Sequence, residues 1–358
     1  MSPLRLETHV HAIVAVLLVT ACNNTAGPPA RTVDPTALTA GATQIQASFE
    51  APVTRSLGTL SPYLARFRPA GPAAPLIAAG RANDLTLVAP MMARLVAPAL
   101  ALATLPDTLR GKTLEYSCAT GSYAATARPG APAAAVRFML YSTSSNGGLI
   151  ACPAVEIGRA DFADSSAGPG QPGLHVVAAD QAGTRYVDYV VGGSAPAPGT
   201  SLTASGTVSD GTTPLDFHLT LNVAVSATAL NGTADVTLVG IGHAIEVTEH
   251  DDISLQNGSG RENIDMTMKA GGETARLVGS NTISSSTSSL NLALSVDGAP
   301  FATVTGSVPA PSFNGPDGKA LTGDALTAAQ AIFRMPIQLS SRLGGLLNPA
   351  EILLGLVA

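Results

Sequence analysis

Tryptophan is absent from this chain, aromatic residues reach only 4%, and charged residues make up 12% against a hydrophobic share of 46%. The wet surface must therefore be built from Ser, Thr, Asn and Gly, a neutral hydroxyl-rich skin that suits an exported β protein. The net charge is −6, and the few Lys and Arg residues form no cluster. A nucleic-acid partner needs a positive stripe and aromatic stacking platforms, so none is expected.

Catalytic motifs are equally scarce. Gly240-Ile241-Gly242 begins like a dinucleotide loop, but Ile245 stands where the third glycine belongs and the residues beyond keep a strand rhythm. Gly258-Ser259-Gly260 lacks the spacing of a nucleophile elbow. There is no phosphate loop, His-Glu-x-x-His run or calcium loop, so neither a cofactor nor an enzymatic activity is expected. Met266 and Met268 read as core, since copper would want further soft ligands nearby.

Three cysteines occur, Cys22, Cys118 and Cys152. In an oxidising envelope the last two make a structural disulfide, because a redox or metal site would want closer spacing. Upstream, an apolar run over residues 12–19 leads into Val19-Thr20-Ala21-Cys22. A short apolar core followed by small residues is a secretion signal, too short for a permanent span. Val19 to Cys22 resembles the lipobox of bacterial lipoproteins. The resemblance implies cleavage before Cys22 and a diacylglycerol on its thiol. By the same resemblance Asn23 and Asn24 imply sorting to the outer membrane.

Strand language is clearest over residues 215–226. Leu215, Phe217, Leu219, Leu221, Val223 and Val225 alternate with Asp216, His218, Thr220, Asn222, Ala224 and Ser226. A period of two sends one set to each face, which describes an antiparallel strand covered on one side. Similar runs surround it, separated by turn pairs at Asp210-Gly211, Asn257-Gly258, Gly271-Gly272 and Asp297-Gly298. In residues 245–253 Glu249 falls among the apolar positions, which reads as a slip of phase and hence a bulge.

The expected organisation is a signal peptide over residues 1–21, a lipidated flexible tether over 22–42, a helical segment over 43–110, an antiparallel sheet over 111–308 and a C-terminal linker with apolar helices over 309–358. Within the helical segment, residues 85–105 are almost wholly apolar but are divided by Pro90 and Pro98 and carry Arg94. They read as broken helices buried on the sheet, not as a membrane span. Thr322 or Asp324 is expected to cap a later helix that Pro336 ends. The fold class is α+β: a long curved meander, open or incompletely closed, with helices from both ends of the sequence on its apolar face.

The best constellation of polar side chains is Asp216 and His218 with Glu246, His250 and Asp252 on the wet face. Carboxylates and imidazoles of one parity can share a metal or a proton, but next-but-one strands lie about 10 Å apart, so solvated surface is the plainer reading and no metal is expected. The leading functional expectation is a lipid-anchored, non-catalytic envelope protein holding an acyl chain or other hydrophobic ligand between sheet and helices. In outline it resembles the helix-covered half-barrels of envelope lipoprotein carriers. A structural or interaction lipoprotein with a solid core is the alternative, and an envelope hydrolase a third.

Overall fold

The computed structural model describes residues 35–67, 87, 105–144, 149–168, 171–194, 199–226, 228–284 and 287–356. The stretch read as a signal peptide, Cys22 and most of the 85–105 segment lie outside them. Alternation recurs in strand after strand, and the chain builds one sheet from it. Its strands are β1 (Thr113–Ser117), β2 (Ser122–Thr126), β3 (Ala135–Tyr141), β4 (Glu156–Asp164), β5 (Gly173–Asp180), β6 (Arg185–Ser194) and β7 (Gly199–Ser209). They continue as β8 (Pro214–Val225), β9 (Ala229–Gly240), β10 (Ile245–Gln256), β11 (Ser259–Ala270), β12 (Glu273–Ser284), β13 (Thr287–Val296), β14 (Ala299–Ser307) and β15 (Ala310–Asn314).

From β3 to β15 each strand pairs antiparallel with the next, so the meander follows chain order. The turn chemistry explains this regularity. Asn257 and Gly258 have φ of 52° and 76°, Asp297 and Gly298 49° and 78°, the paired positive values that a tight hairpin requires. One pairing departs from the meander. Strand β1 lies parallel to β3, with Thr113 opposite Arg137 and Leu114 opposite Phe138, and β2 folds back on β1 to form the outer edge. The other outer strand is β15, and the two edges do not pair, so the sheet is mixed and open. Cys118 and Cys152 are bonded, with Cα atoms 6.0 Å apart, and tie the β1–β2 turn to the β3–β4 connection.

Among the described residues four α-helices cover the apolar face: α1 (Pro35–Glu50), α2 (Pro52–Gly58), α3 (Ser61–Leu64) and α4 (Gly323–Leu353). Helix α1 lies over β7, β8, β11 and β12, α2 lies over β3 to β6, and α4 packs along the first three. The approach is close. A Cβ placed on Gly41 of α1 would come within 2.6 Å of the Ala270 Cβ and 2.9 Å of the Met268 side chain. Helix α4 also shows that the sheet curls. Its Phe333 meets Phe313 of β15 at a ring separation of 5.7 Å, while the carbonyl of Leu346 accepts the Tyr189 hydroxyl of β6 at 3.0 Å. Those helix positions are about 20 Å apart at 1.5 Å per residue. Strands β6 and β15 would be roughly 43 Å apart in a flat sheet at about 4.8 Å per strand. Curvature takes up the difference.

Inward positions form the core, with Leu215, Phe217, Leu219, Leu221 and Val223 all between 0 and 3% exposed. Met266 and Met268 are fully buried among them. The apolar C-terminal residues dock on protein: Leu354 and Leu356 are buried, and Leu356 lies against Gly193 of β6.

Several expectations are corrected. Helix α1 begins at Pro35, inside the stretch read as a tether. The sheet runs past residue 308, because β15 follows; its Pro311 is tolerated on an edge strand, where a missing N–H leaves no ladder partner unsatisfied. Pro336 does not end its helix. Helix α4 continues through both Pro336 and Pro349, since burial of Ile332, Met335, Leu339, Leu343 and Leu347 outweighs the lost hydrogen bonds. Thr322 precedes the helix without a side-chain cap, and Asp324 sits in its first turn. Glu249 marks no bulge: β10 keeps unbroken register with β9 and β11 from one end to the other.

Candidate functional sites

The solvent-facing constellation is divided by register. Asp216 of β8 lies opposite Val239 of β9, which lies opposite Glu246 of β10; His218 reaches Thr248 the same way, through Thr237. Glu246 instead binds Lys269 of β11 at 2.9 Å, and His218 meets the Thr220 hydroxyl, at 3.4 Å. The exception is His250. Its Nδ1 lies 2.6 Å from Asp235 of β9, and its Nε2 lies 3.5 Å from Asp252. The hydrogen bond to Asp235 raises the His250 pKa above its ordinary value, with the Asp252 charge adding to it. Asp235 was absent from the sequence-derived set because only cross-strand register brings it to the imidazole. All three side chains are about half exposed, and no group of three or more metal-ligating side chains forms among the described residues.

Acidic chemistry of another kind lies on the dry face. Parity carries Glu249 and Asp251 inward between Val247 and Ile253, where they are 4% and 0% exposed. Among the described residues none of their four carboxyl oxygens has a hydrogen-bond donor. The two carboxyls lie close enough to share one proton, and burial pushes Glu249 up to about 7. Asp251 is pushed well above the usual carboxylate range by burial and then by the neighbouring Glu249 charge. Glu262 of β11, also fully buried, accepts the Leu87 amide at 3.0 and 2.9 Å and the Asn281 side chain at 3.1 Å. That amide contact brings residue 87 of the apolar segment onto the sheet.

A third feature lies between the helices. A groove of about 590 Å³ runs between α1, α2 and α4, with Phe49, Pro62, Ile337 and Leu346 as apolar lining. Arg55 and Arg342 stand in the same wall and share one carboxylate, Glu50, at 4.0 and 2.5 Å. Two guanidiniums on one acid leave the groove with a net positive charge beside greasy surface, which is the complement of an amphiphile with an anionic head. Sequence reasoning missed it, because Arg55 and Arg342 are far apart in the chain and meet only through helix packing.

Compared with protein-family models, curated proteins and solved structures, the chain matches none. Among the described residues no helix is long and apolar enough to cross a membrane.

Proposed function

We propose that the protein is a lipid-anchored, non-catalytic envelope protein, held to the outer membrane through Cys22, that carries a hydrophobic ligand. The groove between α1, α2 and α4 supports this reading, because it joins apolar walls to paired arginines in a space large enough for part of an acyl chain. The ligand then lies between helices. The anchor rests on the Val19 to Cys22 motif, which keeps the protein where acyl ligands are concentrated.

A structural or interaction role is the second reading, and the tight seating of α1 on β11 and β12 favours it, since close packing there leaves that part of the sheet no room for cargo.

Gly345 separates the two. It lines the groove, and a Cβ placed on it would meet nothing within 4 Å. A Gly345→Phe variant is therefore expected to fold while its ring fills the space. Native mass spectrometry of protein purified from its own envelope should show a co-purifying lipid in the wild type and loss of it in the variant. Wild-type protein free of lipid would leave the structural role standing. Cys22→Ser should move the protein from the membrane to the soluble fraction; retention on the membrane would remove the anchor from the proposal.

A further inference from the structure

The solvent-facing side of the sheet holds a basin at β4, β5 and β6 that differs from the hydroxyl-rich surface elsewhere. Ala135, Ala163, Val177 and Ala179 form its floor, and Pro132 and Gly183 stand at its sides. Its volume is about 270 Å³, the depression arising because four neighbouring outward positions carry only small apolar side chains.

Register arranges charge round this floor in two rows. In the first, Arg159 of β4 lies opposite Ala179 of β5, which lies opposite Arg185 of β6. Two guanidinium-bearing positions thus face each other across one alanine, two strand spacings or about 10 Å apart. In the second, Asp161 and Asp188 flank Val177 in the same way.

The acids are already engaged. Asp161 takes both branches of Arg137, at 2.7 and 2.8 Å, and Asp188 is held by His175 at 2.7 Å and by Arg185 at 2.8 Å. The nearby acids are engaged too, Asp164 with Arg110, and Glu115 and Glu156 with Arg128. Arg159 is half-buried, and its side chain has neither a hydrogen bond nor an ion pair among the described residues. Within these rows three guanidiniums, Arg137, Arg159 and Arg185, stand against two carboxylates, Asp161 and Asp188, while Asp180 beside Ala179 accepts the Thr184 amide at 2.8 Å.

An unneutralised guanidinium at the rim and an apolar floor below it ask for a ligand with one negative head and a compact apolar body. We infer that this basin binds a small organic carboxylate, its carboxylate received by Arg159 with Arg185 opposite and its body lying on Ala163, Val177 and Ala179. Arginine suits that role because its planar fork matches a carboxylate in two parallel hydrogen bonds. The site is separate from the helix groove and does not depend on it.

Benzoate is a suitable probe, with benzamide as its uncharged counterpart and inorganic phosphate as an anion lacking the apolar body. Methyl NMR of the full chain, purified in detergent and labelled at Ala and Val, is expected to show saturable shifts at Ala163, Val177 and Ala179 on addition of benzoate. Benzamide and phosphate should bind at least tenfold more weakly. Arg159→Gln removes a side chain with no partner, so the fold is kept, and it should weaken benzoate at least tenfold. Gly345→Phe should leave benzoate binding unchanged. Equal binding of benzamide or phosphate, shifts that do not saturate or fall elsewhere, or full affinity in Arg159→Gln would overturn the assignment.

Discussion

Glu249 and Asp251 sit two residues apart on β10, and a strict period of two places both in the apolar layer. A buried carboxylate without a donor is expensive, so the pair keeps protons that surface acids would release. The sign of the pH dependence follows. Glu249 is held at about 7 in the folded chain against an ordinary 4.5, so the unfolded chain loses its proton first as pH rises. The contribution to stability is complete below the ordinary value and is lost as pH climbs through about 7; Asp251 acts in the same direction. Chemical denaturation should therefore show lower stability at pH 8 than at pH 5, by on the order of 2–3 kcal/mol. Glu249→Gln should flatten that slope and be more stable than wild type at pH 8. Equal wild-type stability at both values would mean that the pair is not buried as described. Alternation was legible here, and what misled was the assumption that a charged type cannot occupy an inward position. The His250–Asp235 pair was not legible, because no property of either strand alone fixes their register.

Among the elements, the hairpins were the most readable. Asn257-Gly258, Gly271-Gly272 and Asp297-Gly298 adopt positive φ at both positions, a conformation few other dipeptides take readily. Prolines were less reliable. Pro336 obeys local rules that tertiary burial overrides along α4, and Pro311 is accommodated by an edge. Helix α1 depends on a glycine that carries no local signal at all. Because Gly41 lies directly against Ala270 and Met268, Gly41→Leu should lower the stability of the chain by about 1–3 kcal/mol through overpacking, as read from the urea midpoint. Gly41→Ala should cost less. Unchanged stability in the leucine variant would mean that α1 does not seat on β11 as described.

For the molecule as a whole, chain order predicted strand order from β3 onward, since each short turn leaves the next strand only one neighbour. The parallel entry of β1 was hidden, because its connection passes through β2 and a loop whose path is set by packing. Curvature was expected in kind, but its extent, which lets one helix touch both β6 and β15, lies beyond any local pattern. The Cys118–Cys152 bond belongs to this scale because it joins turns at one end of the sheet. Replacing both cysteines with serine should cost about 2–4 kcal/mol in denaturant titration. A change well below 1 kcal/mol would show that packing of Tyr63, Tyr116, Tyr123 and Tyr141 holds that end unaided.

The parallel pairing of β1 with β3 has a consequence for the edge of the sheet. Only Thr113 and Leu114 register against β3, so few backbone pairs and the Tyr123 side chain hold the β1–β2 hairpin to a strand in which Val136, Phe138, Met139 and Leu140 are buried. Loss of that hairpin would bare a greasy ladder of unpaired amides, a template for another copy of the chain. The Cys118–Cys152 bond thereby guards an edge that the short β1–β3 register leaves weakly held.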